Sequence, residues 1–322
     1  SFIVGGEVNE IGGGALWADG EWFVVEADES DGTFLELTHE VGIVTSVEPD
    51  HLEHYGGFDG VCAAFGRFIA DSSGVAVVCA DDEWARALGT AHGARQYGTS
   101  ESADYRMVDI SLGRSHAAFT LVRDGAELGR IELPVPGLHN ARNAAAAATA
   151  ALEIGVPMDA VSRALARYGG VARRFQFRGE RDGVTFVDDY AHLPTEVVEA
   201  LRAARTGGWD RIVCVFQPHR YSRTEELADA FADSFAAADV VVITDVYASG
   251  EAPRPGVSGR LIADAVTGGH PDSPVLYVPG RRDLAEAVRP LLLPGDLCLT
   301  LGAGDITSLP DELAGTGNSA AG

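Results

Sequence analysis

The sequence predicts an α/β protein of two domains. Residues 1–172 are expected to form a mostly parallel sheet with a small antiparallel appendage, and residues 173–322 a doubly wound, Rossmann-like domain. Short apolar runs alternate with helix-like segments in both halves, which is typical of parallel α/β units. The 322 residues, 46% of them hydrophobic, also suffice for two buried cores.

The first domain is predicted from six stretches. "EWFVVEA" (21–27) and "VGIVTSVEPDH" (41–51) are interpreted as buried strands that end in acids. A helix over Val61–Ala70 and the strand "GVAVVCADDE" follow. Residues 105–133 alternate polar and apolar side chains around Asp124-Gly125, a typical hairpin turn. "GLHNARNAAAAATAALEIG" then predicts a long helix, because alanine is the best helix former.

The second domain is predicted as five strands and four helices. The strands are expected at Val184–Asp188, Ile212–Phe216, Val240–Thr244, Val275–Val278 and Leu297–Leu301. The helices are expected from Thr195, from Thr224, over Leu261–Val266 and over Asp283–Leu291. This alternation favours a doubly wound sheet. The final stretch, "AGTGNSAAG", is predicted to be a disordered tail.

Composition argues against several partners. The formal net charge is -24, and all 24 basic residues are arginine, so the chain repels nucleic acid and anionic membrane surfaces. No apolar stretch approaches the roughly 20 residues that span a bilayer. Four separated cysteines suggest neither a zinc site nor a disulfide framework and fit a reducing cytoplasm. Nothing in the pattern indicates an oligomeric state.

An acidic turn follows the first predicted strand and contains Glu26, Asp28, Glu29 and Asp31. One interpretation is a solvated loop, the more frequent case for an isolated cluster. The other is a site for Mg2+, which one or two carboxylates hold together with phosphates and water. His51 follows the second predicted strand, and if the two strands are neighbours, Glu26 and His51 face one cleft.

Two further groups contain candidate ligand-binding side chains. "GLHNARN" opens a helix, where free N–H groups favour anions. Asn140 and Asn143 could also offer a donor and an acceptor to the edge of an adenine. The alternative is an ordinary helix cap. Arginines and histidines also gather at strand ends of the second domain, as for a carboxylate or phosphate clamp, although salt bridges to surface acids explain each one equally well. These residues, with one acid among them, are Arg173, Arg174, Asp189, His192, His219, Arg220 and Arg223.

Seven motifs in order resemble those of the Mur ligases, and the resemblance runs from about residue 2 to about residue 313. The motifs are "VVEADESDGTFL", "VTSVEPDHLEHYGG", "VPGLHNARNAAAA", "RRFQFRGE", "VDDYAHLPTEV", "VFQPHRYSRT" and "LGAGDI". Two of them, "DDYAHLPTE" and "FQPHRYSRT", indicate the alanine-adding branch. The resemblance implies a truncated central ATP-binding domain, then a C-terminal domain. It also implies ATP-dependent joining of L-alanine to UDP-N-acetylmuramate through an acyl phosphate, a step of peptidoglycan synthesis.

The resemblance also implies roles for individual residues. Glu26 and His51 would hold magnesium. Asn140 and Asn143 would meet the adenine of ATP with His139 nearby, Arg174 a phosphate, and Asp189 the ribose. The residues expected to face the muramic acid or the alanine carboxylate are Tyr190, His192, His219, Arg220 and Arg223.

Two departures from the family pattern stand out. The family carries a Gly-Lys-Thr phosphate loop, and this sequence has neither that loop nor any lysine. We therefore expect a fragment without stand-alone turnover, whose missing N-terminal part supplies the loop. Leu193 stands where the family usually has a second histidine. Two alternatives remain: a related ligase that adds another amino acid or a peptide, and a non-catalytic nucleotide-binding or partner-binding protein.

Overall fold

The computed structural model describes residues 1–315 and divides into two compact units, Ser1–Gly170 and a second unit that begins at Val171. The predicted domain boundary, between residues 172 and 173, lies two residues further along the chain. The predicted disordered tail falls almost entirely outside the described residues.

The first unit begins with a small three-stranded sheet. Its strands are β1 (Phe2–Val8), β2 (Gly13–Leu16) and β3 (Val24–Val25), in the order β2-β1-β3. β1 pairs antiparallel with β2 and parallel with β3. β3 is therefore an edge strand, and Val24 is 60% exposed.

The main sheet of the first unit has six strands in sequence order. They are β4 (Val41–Val44), β5 (Val75–Cys79), β6 (Arg95–Gly98), β7 (Tyr105–Leu112), β8 (Ala117–Arg123) and β9 (Ala126–Leu133). β4 to β7 pair in parallel, whereas β7, β8 and β9 form an antiparallel meander. The hairpin turn is Asp124-Gly125, both with positive φ, as predicted. The antiparallel appendage on a parallel sheet is thus confirmed.

Five helices cover this sheet. They are α1 (Leu52–Tyr55), α2 (Phe58–Ala70), α3 (Glu83–His92), α4 (Leu138–Glu153) and α5 (Met158–Leu165). α4 packs on the sheet through alanines such as Ala141 and Ala145, which allow its backbone to approach the buried Phe119 and Leu121. α2 packs Val61 and Phe68 against Val44 and Val78 in a second cluster. Burial on these faces, rather than helix propensity alone, stabilises the helices.

The second unit is also built on one six-stranded sheet. Its strands are β10 (Gln176–Arg181), β11 (Val184–Asp189), β12 (Ile212–Phe216), β13 (Val240–Ile243), β14 (Val275–Tyr277) and β15 (Leu297–Leu301). The order is β10-β11-β15-β12-β13-β14, in which only β10 is antiparallel. β12 and β15 are wholly buried, as their unbroken apolar sequences require in a sheet covered on both faces.

The helices of the second unit are α6 (Pro194–Thr206), α7 (Tyr221–Leu227), α8 (Arg260–Gly269), α9 (Leu284–Val288) and α10 (Leu309–Ala314). They contribute to two hydrophobic clusters, one containing Leu201, Phe216 and Ile262 and the other Phe186, Leu284 and Leu309. The doubly wound prediction is confirmed. None of the helices in residues 1–315 combines the length and apolar character that crossing a bilayer requires.

Several predicted elements were wrong in detail. "EWFVVEA" is not a buried strand, because only Val24 and Val25 pair, and only with β1. β3 and β4 lie in different sheets, so the condition that placed Glu26 and His51 in one cleft is not met. The helix predicted from Thr224 begins at Tyr221, and the helix over Asp283–Leu291 is α9 flanked by 3-10 turns. β10 was missed, because its alternation of polar and apolar residues is interrupted at Gly179, where the register shifts.

Candidate active site

The acidic turn after β3 is held by its own hydrogen bonds. Glu26 accepts from the Gly5 N–H at 2.6 Å through Oε2, which ties the turn to β1. Asp28 accepts from the Ser30 N–H, and Asp31 from Thr33, and these bonds lower the pKa of both carboxyls. Asp28 and Asp31 are therefore ionised at neutral pH and shape the turn, in which Glu26 is exposed.

His51 lies at the start of α1 in the left-handed region, with φ 52°. Its Nε2 is 3.4 Å from the Asp50 carboxylate and 3.9 Å from that of Glu29. The Tyr55 hydroxyl also donates to the Glu29 carbonyl. The acidic turn and the start of α1 thus meet through Glu29 rather than through Glu26.

These residues fit Mg2+ only as part of a coordination shell. Magnesium prefers oxygen ligands, usually one or two carboxylates completed by phosphate and water. In residues 1–315, no group of three or more His, Cys, Asp or Glu side chains is arranged to hold a metal. Glu26, with Asp50 and Glu29 beside His51, supplies carboxylate oxygens that suit this cation. The pairing of Glu26 with His51 remains a prediction.

The N-terminus of α4 carries the predicted adenine-binding residues. Gly137 precedes the helix with φ 97°, a conformation that favours glycine. The Asn140 side chain donates to the Pro136 carbonyl at 2.7 Å, which leaves its amide oxygen as an acceptor. Asn143 is exposed, whereas His139 is half-buried. The structure thus brings these three residues together on the first turns of one helix.

Asp81 and Arg142 form an ion pair that the sequence analysis missed. Asp81 follows β5, and its carboxylate accepts from Arg142 Nε at 2.8 Å and from the Thr99 and Ser100 N–H groups at 2.9 Å. Although burial opposes ionisation, these hydrogen bonds lower the pKa of Asp81. One carboxylate thereby joins the first turns of α4 to the ends of β5 and β6. The strand-end rule, applied after Cys79, would have indicated it.

Arg173, at the entrance to the second unit, has a structural environment. Its guanidinium donates to the Gly302 carbonyl at 2.7 Å and to the Gly304 carbonyl at 3.3 Å. It also pairs at 3.4 Å with Asp188, which is fully buried, and lies 4.9 Å over the Tyr190 ring. Arg173 therefore anchors the loop after β15, and its cationic groups are occupied by the protein itself.

Asp189, the predicted ribose contact, ends β11 and is 5% exposed. Its two carboxylate oxygens accept from the N–H groups of Phe175 and Ala191 at 2.7 and 2.8 Å. Burial, only partly offset by these bonds, raises the pKa of Asp189 to about 6. The carboxylate thus joins the segment before β10 to the end of β11. Its predicted ribose contact must use the remaining lone pairs.

The segment after Asp189 places Tyr190 and His192 beside each other. The two rings meet edge to face with centroids 5.4 Å apart. Arg174 lies 5.5 Å from the Tyr190 centroid and half-exposed, 3.7 Å from Glu196. Leu193 is the residue before α6, and its N–H donates to Glu196 at 3.1 Å. Its backbone rather than its side chain makes this contact.

His219 and Arg223 form the matching group at the end of β12. Arg223 donates to Nδ1 of His219 at 3.4 Å, and because guanidinium only donates, this nitrogen carries no proton. Burial, with His192 and Arg223 nearby, lowers the pKa of His219 to about 4. Arg220 is exposed and has a positive φ of 70°. Within residues 1–315, neither Arg220 nor Arg223 forms an ion pair with a carboxylate.

Tyr247 completes this row of rings and was also missed. It stacks on His219, with centroids 5.8 Å apart and planes at 12°, and the His192 ring lies 5.6 Å from that of His219. The Tyr247 N–H donates to the Pro218 carbonyl, and its own carbonyl accepts from the Arg220 N–H. Tyr247 follows β13, so the residues after β11, β12 and β13 converge at one edge of the sheet.

The geometry separates the predicted residues into those that converge at one edge of the sheet and those that are bonded within the protein. Tyr190, His192, His219 and Arg223 do converge, as predicted. Arg173 and Asp189 are occupied by internal bonds. Glu196 was missed: it accepts from the Leu193 N–H, but Leu193 has no side-chain acceptor, so the sequence lacks the Ser/Thr-x-x-Glu signature that would have indicated this contact.

Comparison with known proteins agrees with this architecture. Residues 15–151 match the family model "Mur ligase middle domain", and residues 173–304 match "Mur ligase, glutamate ligase domain". Members of this family are ATP-dependent ligases of peptidoglycan synthesis.

Individual relatives are similar over nearly the whole chain. The UDP-N-acetylmuramate--L-alanine ligase of Anaeromyxobacter sp. (strain Fw109-5) is 45% identical, over 97% of this chain and 69% of that protein. The enzyme of the same name from Saccharopolyspora erythraea is 45% identical, over 97% of this chain and 65% of that protein. The chain thus spans about two thirds of the length of these relatives.

Solved structures show the same fold. The UDP-N-acetylmuramate-alanine ligase of Thermotoga maritima superposes with a TM-score of 0.80 at 27% identity, covering 98% of this chain and 68% of that chain. A MurF ligase of Thermotoga maritima in complex with ADP superposes with a TM-score of 0.69 at 17% identity, covering 90% and 65%. Family models, relatives and fold agree that the chain belongs to the Mur ligase family.

Proposed function

We propose that this chain serves the ATP-dependent, ADP-forming ligation of L-alanine to UDP-N-acetylmuramate, through an acyl phosphate, in the cytoplasm. One observation carries the proposal. Arg220 and Arg223 have no carboxylate partner among the described residues, although the chain has twice as many acidic as basic residues. They lie beside the imidazoles of His192 and His219. Guanidinium groups in such a setting suit an anionic substrate such as a carboxylate.

The reaction requires two chemical steps. The muramic carboxylate attacks the terminal phosphorus of ATP and releases ADP. The alanine amine then attacks the acyl carbon, and the C–O bond to phosphate breaks. Both steps gather negative charge on oxygen, which preorganised cations stabilise. Arg220 and Arg223 would bind the alanine or muramic carboxylate, with Tyr190, His192 and His219 lining the same group.

The nucleotide would be held by the residues that the resemblance indicates. Asn140 and Asn143 would bind the adenine near His139, Arg174 a phosphate, and Asp189 the ribose. The relative solved with ADP supports a nucleotide as ligand of this fold. Magnesium, bound by Glu26 and His51, would supply positive charge to the transferring phosphoryl oxygens.

The proposal is tested by phosphate release from ATP in the presence of UDP-N-acetylmuramate and L-alanine. The chain is assayed alone and joined behind the N-terminal third of the Anaeromyxobacter relative, with the intact relative as positive control. We expect alanine-dependent release from the joined protein and none from the chain alone, because this sequence has no lysine or Gly-Lys-Thr loop to cradle the phosphates. An inactive joined protein beside an active control would refute the proposal.

Matched variants locate the carboxylate contact. Arg223→Ala in the joined protein should raise the KM for L-alanine or for UDP-N-acetylmuramate by about 10- to 100-fold, the equivalent of one charged hydrogen bond. Arg202→Ala is the control, because Arg202 is 68% exposed and pairs, among the described residues, with Glu199 alone on α6. Stimulation by another amino acid or a peptide instead of L-alanine would favour a related ligase. ATP binding without any turnover would favour the non-catalytic alternative.

A further inference from the structure

Glu196 is the third residue of α6 and closes the start of that helix. Its Oε2 accepts from the N–H of His192 at 2.8 Å and from the N–H of Leu193 at 3.1 Å. A capping contact of this kind is made equally well by glutamate and glutamine. The helix start therefore needs the oxygen of residue 196 but not its charge.

The charge of Glu196 has a different neighbour. Its Oε2 lies 3.3 Å from Nδ1 of His192, and the Tyr190 carbonyl oxygen lies 3.1 Å from the same nitrogen. Both neighbours are acceptors, so Nδ1 carries the proton of the neutral ring. Nε2 is then the nitrogen that can accept a proton. This is the arrangement in which a carboxylate orients an imidazole and stabilises the imidazolium.

The surroundings of His192 explain why that carboxylate matters. The guanidinium groups of Arg223 on α7 and Arg174 before β10 both disfavour a positive charge on this ring. The His219 ring after β12 also lies beside it, with centroids 5.6 Å apart. Burial, together with these cations, lowers the pKa of His192, whereas Glu196 raises it. Glu196 is the only carboxylate among the causes identified for this shift, and it also lies 3.7 Å from Arg174.

We propose that Glu196 is a positioning residue that holds His192 with Nδ1–H toward the protein and balances the charge when Nε2 takes a proton from the ammonium group of the incoming amino acid. This inference rests on the proposed function. The ammonium group loses one proton to Nε2, and the resulting amine forms the N–C bond while the C–O bond breaks. Phosphate leaves with the electron pair and takes up the second proton that the nitrogen loses when it becomes the amide.

The first test uses this chain alone and does not depend on turnover. Imidazole nitrogen and carbon shifts are followed by NMR between pH 4 and 9, with the His192 signal assigned from a His192→Gln sample. We expect the Nδ1–H tautomer in the unmodified chain. Glu196→Gln should lower the pKa of His192 while helicity and melting stay unchanged. Glu199→Gln is the control on the same helix and should leave His192 unaffected.

Three results would overturn the inference. One is an Nε2–H tautomer in the unmodified chain. Another is the same His192 pKa in the Glu196→Gln and Glu199→Gln variants. The third is a change in Glu196→Ala that is absent from Glu196→Gln, since that would mean residue 196 acts only as a helix cap.

The second test measures turnover in the joined protein described above. Glu196→Gln should lower kcat by about tenfold or more, a part of the 10²- to 10⁴-fold that proton transfer supplies, with little change in KM. The acidic limb of the kcat profile should shift in the same direction as the His192 pKa seen by NMR. An unshifted limb would contradict the inference. A joined protein that is inactive without any substitution would instead refute the proposed function, and the NMR result would still stand.

Discussion

Gly304, in the loop after β15, should not tolerate even one added methyl group. A Cβ at this position would lie 2.5 Å from Cγ and 2.8 Å from Cβ of Tyr247, and closer still to the side-chain oxygen of Gln217. Its own φ of -90° suits any residue, so only steric crowding is at issue. Gly304→Ala is therefore a direct test of how tightly the strand-end loops pack.

Neither neighbour can move away at low cost. Gln217 is 3% exposed, and its amide binds Asp305 at 2.7 Å and the Ile306 N–H at 3.1 Å. The Cβ of Tyr247 follows its backbone, which is fixed to Pro218 and Arg220 on both sides. Overpacking of this kind typically costs about 1–3 kcal/mol. For a unit of this size, that corresponds to a Tm lowered by about 2–12 °C.

The assay is calorimetry of the chain, with the transition of the second unit assigned by comparing variants. Gly268→Ala serves as the control, because Gly268 lies in α8 with open space around its Cβ position. That change should leave Tm unchanged or raise it slightly, since alanine has the higher helix propensity. Equal Tm values for the two variants would refute the packing argument. The His219 NMR signal should also shift in Gly304→Ala only, because Tyr247 stacks on that ring.

Three further outcomes are expected. Arg142→Ala should lower the free energy of unfolding by about 1.5–3 kcal/mol, because it removes the charged partner of Asp81. Arg163→Ala is the control and should cost less than about 1 kcal/mol, because both side chains of its ion pair are 67% exposed. Equal losses by denaturant titration would contradict this. Arg173→Ala should cost about 3 kcal/mol or more in the same titration, since it leaves the fully buried Asp188 without its ion-pair partner; a loss below about 1 kcal/mol would contradict this. Asp189 has a pKa of about 6 in the folded chain, above its unfolded value, so acidification from pH 7 to 5 protonates the folded state first and stabilises it by about 1 kcal/mol. Asp189→Asn lacks this gain, and its Tm should fall about 2–4 °C further than that of the unmodified chain over this range; parallel Tm curves would refute the shift.

Much of the fold could be predicted from local pattern. The strands Ile212–Phe216 and Leu297–Leu301 were predicted to the residue, because a strand buried on both faces has an unbroken apolar sequence. The hairpin at Asp124-Gly125 was equally clear, since its turn type requires positive φ. β3 was misjudged because apolar sequence does not reveal whether a neighbouring strand covers it. β10 was missed because a register shift interrupts its alternation.

The candidate site was predictable in composition but not in its contacts. The strand-end rule correctly drew attention to His192, His219 and Arg223, which do converge. It could not distinguish Arg173, whose guanidinium is occupied by loop carbonyls, from Arg223, which has no carboxylate partner among the described residues. Both arginines lie near strand ends in the sequence. Whether a guanidinium group is bonded within the protein depends on where distant loops run in the fold.

The sequence by itself determined the α/β class, the net charge of -24 and the Mur ligase motifs, because composition, periodicity and motif order are properties of the linear chain. Only the tertiary structure decided which charges are already satisfied. It paired Arg142 with Asp81, 61 positions away, and Arg173 with the carbonyls of residues 302 and 304. It also set Glu196 against His192. The physical reason is that a charge is neutralised by what lies within a few ångströms, and the folding of separate strands into one sheet edge sets that distance.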